Sequence, residues 1–104
     1  MNNLKITNFD DMVIRDFKNN PKLIKDFKKY IVKQYKKDRD IKIFKENLKL
    51  IIKAERGLAT KIVKTAKIDR AGIYRILSSK VMPRYDTFEK LLMAMGYNIN
   101  IQLT

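Results

Sequence analysis

Leu58-Ala-Thr-Lys-Ile-Val-Lys-Thr-Ala66, then Lys67-Ile68, then Asp69-Arg-Ala-Gly-Ile-Tyr-Arg-Ile-Leu-Ser78 is the stretch on which the fold turns. Its spacing predicts two short helices, about Leu58–Ala66 and Asp69–Ser78, with a tight break at Ala66-Lys67-Ile68. That is the size of a helix-turn-helix. Ile62, Ile68, Ile73 and Leu77 are the apolar positions needed to lock two helices and their turn. Asp69 is a natural cap for the second helix, because a carboxylate there can accept from free first-turn N–H groups. With the apolar side turned inward, the start of that helix offers Arg70, Ala71, Gly72, Tyr74 and Arg75 outward.

Such an end can enter a major groove. An Arg forks onto guanine O6 and N7, and a small Ala can touch a thymine methyl. Arg70, Ala71, Tyr74 and Arg75 are therefore the candidate base contacts. Ala71 and Gly72 are read as allowing close approach to the groove. Thr60, Lys61, Lys64 and Lys67, together with Arg84 after the second helix, suit phosphates. Phosphate contacts fix register and give salt dependence without carrying sequence information.

Working outward, Asn20-Pro21 reads as a helix start. Leu23, Phe27, Tyr30 or Ile31, and Tyr35 then fall on one face of a helix running to about residue 37. Asp38-Arg39-Asp40 offers two caps. Ile41, Phe44, Leu48 and Ile51 or Ile52 form the next stripe, ending near Gly57. After the central pair, Asp86-Thr-Phe-Glu89 has the spacing of a capping box, leading a helix through Leu91, Leu92 and Met95 to Gly96. Two weaker features flank this. Residues 3–9 alternate Leu4 and Ile6 against polar neighbours, a short strand signal. Residues 9–17 suit a helical turn or two. Tyr97, Ile99, Ile101 and Leu103 alternate cleanly with polar residues, which predicts a C-terminal strand. A lone strand needs a partner: residues 3–7, its copy in a second subunit, or an edge strand of another protein.

The 104 residues suit a single domain, with residues 1–53 as an N-terminal strand and helical region, 54–96 as the helix-turn-helix core and 97–104 as the C-terminal strand. Net charge is +13 and 45% of residues are hydrophobic, enough for a core. Both halves are basic, so there is no separable cationic arm. Lys outnumbers Arg 18 to 6, which makes the few Arg the more informative cations. There is no cysteine and no histidine. That removes disulfides, zinc-thiolate sites and the Ser-His or Cys-His pairs of nucleophilic catalysis. Asp69, Asp86 and Glu89 have cap roles, and no carboxylate spacing suggests a metal nuclease. No enzyme, cofactor or metal is expected. No apolar run is long enough to span a bilayer, and the first residues carry no signal-like apolar stretch, so a cytoplasmic protein is expected. The basic helix over residues 22–37 could lie on a membrane surface, but its apolar side is needed as core in so small a domain. A charge-driven nucleic-acid coat is the other alternative; Phe27, Phe44 and Phe88 lie on apolar stripes and read as core, not as stacking platforms.

The run from Ala54-Glu55-Arg56-Gly57 through Asp69–Ser78, then Pro83, Thr87-Phe88 and Ala94-Met95-Gly96-Tyr97-Asn98-Ile99, resembles the lambda-repressor-like (XRE) helix-turn-helix domains. More closely, it is similar to the HigA-type addiction module antidotes. Phe9-Asp10 and Asn20-Pro21 fit that pattern loosely. The resemblance implies an all-α, five-helix domain with an N-terminal helical extension and a short C-terminal β-strand. It implies an antitoxin that neutralises a RelE-like mRNA-cleaving toxin, binds double-stranded operator DNA as a homodimer and represses its own operon. A stand-alone repressor without a toxin is the alternative. The charge favours the DNA half of the role, since such toxins are themselves usually basic. The sequence departs from the pattern at four places. Lys67 stands at the usual turn Gly, so either a bulky residue takes φ > 0 or the turn differs. Val63 replaces a small Ala, Val81-Met82 replace Gly-Asn, and the Gly57–Ile62 segment is one residue longer.

Overall fold

The structure, a computed structural model, describes residues 3–79 and 84–97, with side chains from residue 11 onward. Six helices run through them: α1 (Asn3–Asn19), α2 (Pro21–Asp38), α3 (Ile41–Ala54), α4 (Leu58–Ala66), α5 (Arg70–Ser78) and α6 (Tyr85–Ala94). The strand expected at residues 3–9 is the start of α1 instead. The alternation of Leu4 and Ile6 is short. Ile6, Phe9, Val13 and Phe17 also recur at three- and four-residue spacing, and no Pro or Gly interrupts the chain before Pro21. Residues 3–7 are thus not a strand partner for the C-terminal segment. Of that predicted strand, residues 98–104 lie outside the described residues.

The helix breaks follow local chemistry. Asn20 accepts from the Lys22 N–H at 3.2 Å, and Pro21 opens α2. Arg39 takes the left-handed conformation (φ 57°), donates its N–H to the Tyr35 carbonyl and lays its guanidinium over the Tyr35 ring. Of the two expected caps, Asp40 is the one that caps α3, accepting from Ile43 N–H at 3.1 Å, while Asp38 accepts from the Asp40 N–H and braces the turn. Gly57, at φ 82°, turns the chain from α3 into α4.

At α6 the expected capping box is absent. The helix starts two residues early, at Tyr85, with Arg84 as its uncapped start. That puts Asp86 inside the first turn, where it accepts from Thr87 N–H and offsets the dipole. Glu89 accepts from the Tyr85 hydroxyl at 3.3 Å, and its charge pushes that phenol's pKa up.

α3 is the hub, packing against α1, α2, α4 and α5, while α6 closes the far side against α4. Phe44, Leu48 and Ile51 are buried at its centre. Tyr35 stacks on Phe44 at 4.8 Å between centroids, and Phe88 meets Phe44 edge-on at 6.1 Å. The expected face of α2 is rotated slightly. Leu23 is 40% exposed, and Ile24 and Ile31 are buried with Tyr35. Phe27 is half-buried against Phe17, at 5.1 Å. The end of α6 is fastened to α2 by Lys28, whose ammonium donates to the Met95 carbonyl at 3.0 Å and pairs with Glu55 at 2.9 Å. The Tyr97 hydroxyl donates back to the Lys28 carbonyl at 3.1 Å.

Candidate nucleic-acid interface

α4 and α5 are nine-residue helices joined by three residues. The reversal is made by Lys67 in the left-handed conformation at φ 60°, with an exposed side chain. Of the two options the sequence left open, a bulky residue at φ > 0 is the one found. A non-glycine residue accepts this conformation at a cost of about 1 kcal/mol or more. Asp69 then caps α5: its carboxylate accepts from Gly72 N–H at 2.7 Å, and its carbonyl accepts from Ile73 N–H at 2.9 Å.

This cap changes the reading of Gly72. The residue is buried, and a Cβ on it would stand 2.7 Å from the Asp69 carboxylate oxygen and 3.0 Å from an Ile68 methyl. Its small size serves the turn and the cap, not an approach to a groove.

With Ile73 and Leu77 facing the core, the other predicted residues divide into two groups. Ala71 and Arg75 are exposed and lie one turn apart on the outer side of α5. Lys61, Lys64 and Lys67 are exposed on and after α4. Arg70 and Tyr74 instead line one cleft with Thr60, of about 740 Å³. There the Arg70 guanidinium donates to the Thr60 hydroxyl at 3.0 Å, which orients the Arg and links the starts of the two helices. Tyr74 is half-buried and packs on the core, so it is less open than expected. Arg84 pairs with Asp86 at 3.5 Å within its own end of α6, and no bond among the described residues ties it to α4 or α5.

Sequence reasoning missed three cations of this cleft. Lys18 from the end of α1, Lys53 from the end of α3 and Arg56 from the α3–α4 turn line it beside Thr60 and Arg70. Gly57 gives α4 no side-chain cap, so its first turn faces this basic surround without a side-chain acceptor. A helix start beside several cations favours anions. Arg56-Gly57 was the available signal; Lys18 and Lys53 join it only through the packing of α1 and α3.

The other end of α5 is held by α3. The buried Lys45 ammonium donates to the Ser79 carbonyl, and Lys49 reaches the Ser78 hydroxyl at 3.4 Å. Cations there oppose the negative end of the helix dipole. Burial, and secondarily the Lys49 charge, pushes the Lys45 pKa down. Among the described residues no group of His, Cys, Asp or Glu converges as a metal site, and no helix is long and apolar enough to cross a membrane.

A basic domain whose described residues form six helices, two of them short and presenting an open cationic edge, is the class of protein these features define. A family model described as probable addiction module antidote protein matches residues 6–103, nearly the whole chain, and the chain belongs to that family. It is thus an antidote, the antitoxin member of a toxin–antitoxin module. No curated protein and no solved structure matches the chain.

Proposed function

We propose that this antidote is a sequence-specific, dimeric DNA-binding repressor of its own operon that also neutralises a RelE-like toxin. α4 and α5 act as a lambda-repressor-like helix-turn-helix, with the start of α5 in the major groove. Arg75 and Ala71 read base edges from the open side of the helix. Arg70 reads beside them, held in position by Thr60, and Tyr74 contributes from the groove edge. Thr60, Lys61, Lys64, Lys67 and Arg84 grip phosphates, joined by Lys18, Lys53 and Arg56 of the adjoining cleft. Two copies carry two recognition helices to half-sites about 34 Å apart.

The observation that carries this reading is the Arg70–Thr60 bond at 3.0 Å beside exposed Arg75, on a helix whose opposite side is buried. An Arg fixed by a neighbour loses less freedom on forming a bidentate contact than a free one. A fusion of the DNA upstream of this gene to a reporter tests the reading. The protein is expected to repress it, and Arg75→Ala to relieve repression. Equal expression with and without the protein rejects the repressor role. Coexpression with the adjacent reading frame tests the antitoxin role: growth lost to that frame alone returns when both are made.

A further inference from the structure

A second basic surface runs along α2; its groove shares Pro21, Ile24 and Glu55 with the cleft beside Arg70, but none of that cleft's cations lines it. Lys25, Lys29, Lys33 and Lys36 line one side of a groove of about 880 Å³. Their spacing of four, four and three residues makes them a single ridge on the helix. All four are exposed, and among the described residues none of their side chains makes an ion pair or hydrogen bond. The floor and opposite wall are apolar, formed by Ile24, Val32 and Tyr97. The one acidic group in the lining, Glu55, is already paired with Lys28 at 2.9 Å. From Pro21 to Lys36 the groove extends about 22 Å, the length of some fifteen helical residues.

We propose that this groove docks an acidic amphipathic segment of a partner protein. Its apolar side would cover Ile24, Val32 and Tyr97, and its carboxylates would meet the lysine ridge. Charge complementarity argues for the carboxylates, since four unpaired ammonium groups face a lining whose single acid is spent. The apolar floor argues against a nucleic-acid backbone, which brings phosphates but no apolar side to bury. The idea rests on the antidote class only in taking the partner to be a protein, and it is independent of DNA recognition by α5.

The test is fluorescence anisotropy on the full chain with a labelled fifteen-residue helical peptide carrying leucines along one face and glutamates on the other. Saturable binding is expected. It should weaken at least tenfold when the glutamates become glutamines, and at least tenfold when the leucines become serines. Lys29→Glu/Lys33→Glu should weaken it tenfold or more with unchanged far-UV circular dichroism, and Val32→Asp should act likewise. The charge-matched Lys42→Glu/Lys90→Glu variant should retain it. The Lys29/Lys33 variant should also lose no more affinity for the upstream duplex than that charge-matched control, which separates this idea from the DNA reading. No saturable binding, or binding indifferent to Lys29 and Lys33, overturns the proposal. Displacement of the peptide by a fifteen-base-pair duplex assigns the groove to nucleic acid instead. Binding that emerges only in an Ile99→Asp/Ile101→Asp variant assigns it to the chain's own residues 98–104.

Discussion

Arg70 and Lys29 are both exposed cations on helices of this chain, yet their surroundings differ. Arg70 is tied to Thr60 at 3.0 Å, and Arg75, Lys61 and Lys64 stand exposed on the same helix pair. Lys29 belongs to a ridge of unpaired lysines above an apolar floor. Net charge of +13 describes both surfaces equally and distinguishes neither. What separates them is what lies beside the charge. An oriented guanidinium on a helix start suits base edges and phosphates, and unpaired ammonium groups beside Val32 and Tyr97 suit a protein segment that also has an apolar side.

The largest effect that sharpens this contrast is on the α5 side. Arg70→Ala should cost about 1–3 kcal/mol in operator binding and relax preference at one base position. An unchanged specificity ratio would leave Arg70 without a reading role. Next comes the support of that helix. Asp69→Ala removes the carboxylate that caps α5 and should lower unfolding free energy in urea by about 0.5–2 kcal/mol. It should also weaken operator binding, while leaving the α2 surface as it was. A variant as stable as the parent would mean that the Gly72 N–H finds another acceptor.

On the α2 side, Tyr97→Phe deletes the bond to the Lys28 carbonyl and should cost about 0.5–1.5 kcal/mol. Burial, and then the nearby Glu55 charge, raises the Tyr97 pKa. Because the folded-state value lies above the unfolded one of about 10, the neutral phenol's contribution is fully present below that pH. It is lost as pH rises further. The parent should therefore lose stability faster than Tyr97→Phe between about pH 10 and 11, and parallel curves would contradict the burial argument. The smallest effect belongs to a single phosphate contact. Lys61→Ala should weaken all duplexes alike and reduce the salt slope by about one; a change confined to one sequence would make Lys61 a base reader.

Where a structural feature depends on neighbours in sequence, it was legible. The ends of α4, the Asp69 cap and the Asp40 cap follow from local chemistry and are present. Lys67 at the usual turn Gly leaves two options open in the sequence, and its φ of 60° selects the first. Features set by tertiary packing were not legible. Leu23 and Ile24 fit the helical spacing equally, as do Tyr30 and Ile31, and only contact with α1 and α3 selects Ile24 and Ile31. The strand signal at Leu4 and Ile6 was too short to outweigh the unbroken helical period that follows it. Asp86 and Glu89 have the spacing of a capping box, but with the helix starting at Tyr85 they fall two residues too far inside. In the sequence Gly72 reads as facing the ligand, because its burial under Asp69 and Ile68 is set by the fold. Lys18, Lys53 and Arg56 come from three separate segments and meet Arg70 only in the folded chain.

The central claim is that the α4–α5 edge reads a DNA sequence. Its most direct test is anisotropy of the full chain at about 150 mM salt on the duplex upstream of the gene and on a scrambled duplex of equal composition. The account predicts a preference of about 10³ or more for the upstream duplex. Equal binding to both, falling steeply with salt, would contradict it and leave a surface that holds nucleic acid by charge alone.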